Sequence, residues 1–542
     1  MRRKTLLFSV SVLLSCLCYT TATARNAFAY GLSSELSADQ TQFTLNYSLN
    51  DTANSATLVF FNGVNQVKTV ILTDTVPGSY IKQIDINDLP SNVTLTWSVV
   101  VNSDIVAAPT VDKTVYSFYH SQGVAVDKNY ESPYYGRIYA TESYNPSKTG
   151  YHSSTLLDGL YVFDPQLQPV TNENGNYGFL GGQTFPAKFT DGTTTSYAPR
   201  KVRVTEDGRV FITGQNDAGC CLWEVDPSNL NANFTKVISG TQNAIYEFVD
   251  GSSNFIAAPN VGFDVKGSGE NLKLLMLSGN KNGIAFAYSG YRLDEYNLGT
   301  ATTWTTVPSS NIAALSGKYT IASTNASVTY DNEGGIWYSQ ARSAATNEQP
   351  SLVHVNSEGV EDFFNGAGYN RYGGSGIAFN KDFTKLAIGE DRISATQGVV
   401  RIYTVSKDGT GKPVLTKDYD VTTCGRNNND ICWDMADNLY VVNSSNEKLE
   451  VFALPRTSGD VATPAASKYA FKIVSTGIES ANVKAAQVIA GKGIINVIGE
   501  ANSIEVYTIT GILVSRNHTD ITCDAGIYLV RVDGQTTKVV VK

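Results

Sequence analysis

Between residues 113 and 460 of this 542-residue chain, one pattern returns about six times. A short apolar strand ends in a polar turn, a second apolar strand follows, and a third comes after a loop. One unit reads Gly123-Val124-Ala125-Val126-Asp127, then Gly136-Arg137-Ile138-Tyr139-Ala140, then Gly159-Leu160-Tyr161-Val162-Phe163-Asp164. The pattern reopens at Val202-Arg203-Val204, Gly262-Phe263-Asp264-Val265, Val328-Thr329-Tyr330-Asp331, Ile377-Ala378-Phe379-Asn380 and Ile431-Cys432-Trp433-Asp434. Second strands such as Gly335-Ile336-Trp337-Tyr338 and third strands such as Val400-Arg401-Ile402-Tyr403 follow. A single unit of this kind cannot bury both of its faces, whereas neighbours packed around an axis can. Strand, tight turn, strand, loop, strand is the build of a propeller blade. The openings are unevenly spaced, so the loops differ in length. Residues 113–460 are therefore expected to form a six-bladed (or seven-bladed) β-propeller, with Val115-Tyr116-Ser117-Phe118 supplying a strand that closes the ring on the last blade.

The flanks are also β. In residues 25–112, Phe43-Leu45-Tyr47-Leu49, Ala56-Leu58-Phe60 and Val93-Leu95-Trp97-Val99 alternate with polar residues at the period of two that marks a half-buried strand. Asn62-Gly63 is a hairpin signal, because both residues tolerate positive φ. An antiparallel β-sandwich is expected there. Residues 461–473, with Pro464 and several small side chains, read as a linker. Residues 474–542 hold Gly493-Ile494-Ile495-Asn496-Val497, Ser503-Ile504-Glu505-Val506-Tyr507, Gly526-Ile527-Tyr528-Leu529-Val530-Arg531-Val532 and a terminal Thr537-Lys538-Val539-Val540-Val541-Lys542. They predict a second, smaller sandwich. The fold class is all-β: N-terminal β-sandwich, central propeller, small C-terminal β-sandwich.

Three resemblances attach to these segments. Phe43 to Asn50 and Ala56 to Gly63 resemble the immunoglobulin-like domains of the flagellar-hook-capping type in bacterial surface proteins. The central units resemble six- or seven-bladed strand-turn-strand propellers, including lactonase-like ones. The ordered pieces of residues 474–542 resemble the C-terminal sorting domain of the type IX secretion system of Bacteroidetes, which implies passage across the outer membrane and use of that secretion machinery.

The start of the chain fits export. Arg2, Arg3 and Lys4 precede an apolar run from Leu6 to Leu17, and Ala22-Thr23-Ala24 offers small residues for cleavage. Residues 1–24 are thus read as a signal peptide with Arg25 first in the mature chain. Ala27-Phe28-Ala29 is a second cut, and Leu13-Leu14-Ser15-Cys16 resembles a lipobox. No later stretch is apolar for the ~20 residues a spanning helix needs, so no transmembrane helix is expected. The expected location is secreted or on the outer cell surface. Cys424 and Cys432 flank a mostly polar stretch and are a candidate disulfide. No C-x-x-C pair points to a zinc site.

The 41 Lys and Arg against 50 Asp and Glu give a net charge of −9, which argues against a nucleic-acid partner. Residues just before each inner strand would ring one mouth of the propeller channel. Arg200, Asn260, Asn325 and Asp430 stand among them, with a single carboxylate and no histidine. A hard divalent cation needs several oxygen ligands, so Asp430, Asn260 and Asn325 make a sparse set, and no metal or cofactor is assigned; a cation in the channel is the alternative. No G-x-S-x-G elbow or P-loop occurs. Tyr134, Tyr135, Tyr144 and Tyr151 lie in long loops among Asn, Ser, Thr and Gly, and tyrosine offers a flat apolar face with a polar tip. The expected function is recognition of a glycan or protein ligand by the propeller. The alternatives are a secreted lactonase-like or carbohydrate-active enzyme and a structural cell-surface component.

Overall fold

The computed structural model describes residues 25–542 apart from 113–115, 119–120, 143–147, 150–154, 157–158, 171–198, 214–219, 230–234, 240–259, 282–287, 302–309, 312–325, 342–344, 349, 367–374, 393, 395–396, 426, 444–447, 475–485 and 500. The segment read as a signal peptide lies outside the described residues. The described chain divides into two compact units, residues 25–473 and 474–542. Among the described residues no helix is long and apolar enough to cross a membrane.

The repeat folds as six antiparallel sheets, one per unit. Their inner strands are Val124–Val126, Val202–Val204, Asn260–Lys266, Ala326–Tyr330, Ile377–Phe379 and Asn428–Trp433, and they define blades 1 to 6. Each of the six openings seen in the sequence falls in one of them. Blades 2 to 5 run strand by strand outward in chain order. The last blade borrows its outer edge from the start of the domain. Thr110–Val111 and Tyr116–Ser117 both pair with Lys448–Ala453. This closes the ring by backbone hydrogen bonds, with the start of the domain supplying the outer strand of blade 6. The closing strand begins at Thr110, earlier than the boundary read from sequence. Apolar clusters fill the interfaces between successive blades. Tyr440, Val442 and Leu449 of blade 6 pack on Val126, Ile138 and Phe163 of blade 1.

The N-terminal sandwich has two sheets. One comprises Ala29–Leu36, Gln42–Leu49 and Gly78–Asp85. The other contains Ser55–Asn62, Asn65–Leu72 and Thr94–Asn102. Gly63 sits at φ +59 in the hairpin that Asn62-Gly63 predicted. The linker expected at 461–473 is corrected. Asp460–Pro464 pairs along Thr94–Asn102 and Phe471–Lys472 pairs with the same strand. Phe471 then enters the core, with its ring 5.1 Å from Phe43. Small residues and a proline read as a connector, but alternate side chains of an edge strand need not be large. Proline at the end of an edge strand also breaks no ladder.

The sandwich and propeller are joined by the first described residues. Arg25 bonds the carbonyls of Pro165 (2.7 Å) and Asn50 (2.9 Å) and pairs with Asp112 at 2.9 Å and Asp51 at 3.3 Å. Asn26 donates its backbone N–H to Asn438 Oδ1 (2.7 Å), and Asn438 Nδ2 donates back to the Asn26 carbonyl (3.0 Å).

The unit at 474–542 is a small sandwich. Gln487–Ala490, Ile494–Ile498 and Asp520–Thr522 form one sheet. Leu513–Arg516, Ile504–Thr508, Gly526–Val532 and Gln535–Val541 form the other. Ile495, Val506, Val530 and Val541 meet in its core.

Candidate functional site

Six inner strands converge on one axis, and what stands at their two ends decides where a ligand can enter. At the end where each strand begins, neighbouring blades approach closely. A side chain at Gly123 would meet the Arg200 carbonyl at 2.6 Å, and one at Gly262 would meet Ser327 Cα at 3.0 Å. Glycine is required at these positions because the backbone of the next blade occupies the place of a Cβ. Gly376 repeats the contact against Ile431 of blade 6.

Of the residues read from sequence as a channel mouth, Arg200 and Asp430 are held among packed blades rather than open to a ligand. Arg200, Lys201 and Asp430 are buried. Asp430 is reassigned from cation ligand to structural anion. Arg203 Nη1 and Nη2 donate to its two oxygens at 2.7 and 3.0 Å, and the Val124 N–H donates at 3.1 Å. Lys201 stands 3.4 Å away. Burial works to raise the Asp430 carboxyl, but Arg203 and Lys201 outweigh it and hold it below the usual carboxylate range. The cation alternative loses its one carboxylate in this way. Asn260 opens the inner strand of blade 3, and Asn325 lies outside the described residues. Among the described residues no cluster of three His, Cys, Asp or Glu is placed to hold a metal ion.

The opposite end is open. A funnel of about 480 Å³ runs along the axis to the turns that follow the inner strands, with walls from all six blades. Its floor is apolar, from Val126, Val265, Ile377 and Ile431. Arg203 and Asp264 form its polar belt. Asp264 lies 3.5 Å from Arg203 Nε and accepts from Thr329 Oγ1 (2.9 Å) and the Tyr330 N–H (3.0 Å). Burial pushes the Asp264 carboxyl up against the opposing pull of Arg203. At the rim stand Lys128, Glu206, Asn332 and Lys381. Each is the first residue after the polar side chain that opens its turn.

These rim and belt residues were not singled out from the sequence. Two signals would have found them. Arg203 and Asp264 are charges inside short apolar strand openings of the repeat. Lys128, Glu206, Asn332 and Lys381 share one position of the repeat.

The tyrosines sit elsewhere. Tyr134 is half-buried with the Arg137 guanidinium 4.0 Å above its ring. Tyr135 is buried against Phe28, with ring centroids 6.0 Å apart, where the sandwich meets blade 1. Tyr144 and Tyr151 lie outside the described residues. Cys424 and Cys432 are free thiols, so the expected disulfide is corrected. Cys432 lies on the funnel wall, while the Cys424 backbone N–H donates to Glu450 at 3.0 Å. The strand holding Cys432 runs inward and carries it away from the turn that was expected to bring the two together.

A second cavity, of about 330 Å³, lies between blades 4 and 5. His354 is buried at its side, its ring tilted against Trp337 with centroids 4.6 Å apart. His354 Nε2 is 3.0 Å from Asp331 and Nδ1 is 2.5 Å from Asp362. Both ring nitrogens are thus engaged by carboxylates, and the arrangement fastens the blade edge.

The fold and site together define an all-β protein with a six-bladed propeller and an open, charged axial funnel. No protein-family profile matches the chain, and no curated protein is found similar to it. Similar solved structures include the WD40 β-propeller domain of Doa1, at 8% identity and TM-score 0.33, covering 62% of this chain and 96% of that one. A Trichoderma reesei carbohydrate-active enzyme of family AA12 is similar at 11% identity and TM-score 0.29, covering 65% and 99%. An oligogalacturonate lyase in complex with manganese follows at 8% and TM-score 0.29, covering 66% and 94%.

Proposed function

We propose that this chain is an exported, surface-displayed binding protein whose propeller recognises a glycan in the axial funnel. The observation that carries the reading is the funnel itself, lined by all six blades and within the size range of small-ligand sites. Its wall carboxylates support holding rather than proton transfer. Asp264 is engaged by Arg203, Thr329 and Tyr330, and Asp331 by the Gly335 N–H and His354. The basic and apolar start of the chain and the pattern of residues 474–542 support export and sorting by an outer-membrane secretion machinery. A glycan array probed with the intact chain, with and without a chelator, tests the recognition. Metal-independent binding that competes with a free sugar is expected. Turnover of a lactone, or no binding across the array, overturns it. Sequencing the N-terminus of protein recovered from the producing cell's surface tests export.

A further inference from the structure

Around the funnel four cations, Arg203, Lys128, Lys266 and Lys381, stand with four carboxylates, Asp430, Asp264, Glu206 and Asp331, but they are not paired one to one. Arg203 is neutralised by Asp430 and Asp264. The carboxylates that line the funnel are also engaged from within. Asp264 and Asp331 take the bonds described above, and Glu206 accepts the Gly267 N–H at 3.1 Å. The lysines are not. Lys266 Nζ rests on the carbonyls of Asp331 (2.9 Å) and Asn332 (3.4 Å), which carry no net charge. Among the described residues Lys128 and Lys381 meet no acceptor. Three ammonium groups thus face one cavity in a chain of net charge −9. Protein crowds Lys128 even though its tip reaches the open funnel. That loss of water lowers its pKa, partly offset by Cys432, Asp264 and Asp434.

The rim also carries a strained aromatic ring. The fourth position of each short turn needs a left-handed backbone. Gly208 fills it in blade 2 (φ +86) and Gly334 in blade 4 (φ +92). Blade 5 puts Phe383 there at φ +56, a conformation that a bulky residue adopts at a cost of about 1–2 kcal/mol. Asn380 clamps the turn, its Oδ1 accepting the Thr384 and Lys385 N–H groups at 3.0 and 2.9 Å. The ring is 37% exposed, tilted 5.5 Å from Phe379, and lies at the rim two residues from Lys381. Strain held this way marks positions kept for something other than stability.

We propose that the funnel takes an acidic sugar, its carboxylate held by Lys128 and Lys381 and its ring set against Phe383. This rests on the reading of the funnel as a glycan site and names the class of glycan. Ammonium groups that lack a partner meet the carboxylate, and an exposed aromatic face covers the apolar side of a pyranose. The Asn332 side chain at the rim, which meets no partner among the described residues, offers both a donor and an acceptor to hydroxyls.

Calorimetric titration of the intact chain with glucuronate, galacturonate, the matching neutral sugars glucose and galactose, and inorganic phosphate tests this. An acidic sugar is expected to bind at least tenfold tighter than its neutral match and than phosphate. Lys128→Met and Lys381→Met should each weaken it about fivefold or more. Phe383→Gly should weaken it about tenfold while keeping or raising the thermal midpoint, so that unfolding is not mistaken for lost contact. Equal binding of acidic and neutral sugars, with the lysine variants unaffected, overturns the acidic assignment and leaves the funnel as a glycan site. Acidic-sugar binding that none of the three variants changes, or phosphate binding as tight as the sugar acid, also overturns it. No binding of any sugar removes the glycan reading with it.

Discussion

Arg203 of blade 2 grips Asp430 of blade 6 with two parallel hydrogen bonds of 2.7 and 3.0 Å, tying together strands 227 residues apart at the propeller axis. Asp430 is fully buried and the Arg203 side chain is only 12% exposed. Breaking a buried pair from one side leaves an uncompensated charge, which costs about 3–5 kcal/mol. Arg203→Met and Asp430→Asn should each destabilise the propeller by that order in denaturant unfolding. The double variant should lose less than the sum of the two, because neither of these charges is then stranded, although Lys201 and Asp264 each lose a partner. Additive losses would mean the two side chains act independently.

The same pair sets a pH dependence. The Asp430 carboxyl is held low in the folded protein, so the unfolded chain binds its proton first as pH falls. Its stabilisation is fully present above the ordinary carboxylate range and is lost as pH drops from about 5 through the folded value. Burial pushes Asp264 and Asp434 the other way, so the whole-protein profile mixes both senses. The difference in unfolding free energy between wild type and Asp430→Asn isolates the first. It should be largest near neutrality and shrink steadily below pH 4. A constant gap from pH 7 to 3 would show that the pair does not carry the effect.

How much of this the sequence disclosed depends on the range of the interaction involved. Blade openings at Val124, Val202 and Ile377 are local patterns, short apolar strands followed by a polar turn, and they mark the inner strands directly. Which axial end is open is not local. It depends on how residues of all six blades meet around the axis. Asp430 looked like a ligand because a lone carboxylate beside a turn gives no sign of an arginine in another blade. The return of Thr463 to a strand beside Val99 has no local signature either, since edge strands tolerate small residues and proline. The ring-closing strand near Tyr116 was legible because it is an apolar run just before the first blade.

That return gives a sharp test of where the first unit ends. A chain stopped at Gly459 loses two strands beside Thr94–Asn102 and the Phe471 ring that covers Phe43 and Phe60. A chain stopped at Ile473 keeps them. Limited proteolysis should cut the shorter chain within the sandwich and leave the longer one intact at matched protease. Phe471→Ala alone should cost about 2 kcal/mol, less than the roughly 3–5 of a fully buried phenylalanine, because this ring stays partly exposed. Equal resistance of the two chains would restore residues 461–473 to the status of a linker.

Arg25 and Asn26 extend the argument to the other end. The Arg25 side chain is 7% exposed and answers two buried aspartates, Asp51 and Asp112, while Asn26 and Asn438 exchange hydrogen bonds between sandwich and propeller. Phe28 adds a buried ring against Tyr135. If a leader is removed, a cut after Ala24 keeps every one of these contacts. A cut after Ala29 removes the cation that faces both aspartates and empties the Phe28 site, for a loss of several kcal/mol by the same buried-charge and cavity arguments. Recombinant chains starting at Arg25 and at Tyr30 should therefore differ by many degrees in the thermal midpoint of the 25–473 unit. Arg25→Met in the longer chain should recover part of that difference as a loss of about 3 kcal/mol. Matching midpoints for the two starts would show that the first five residues hold nothing together.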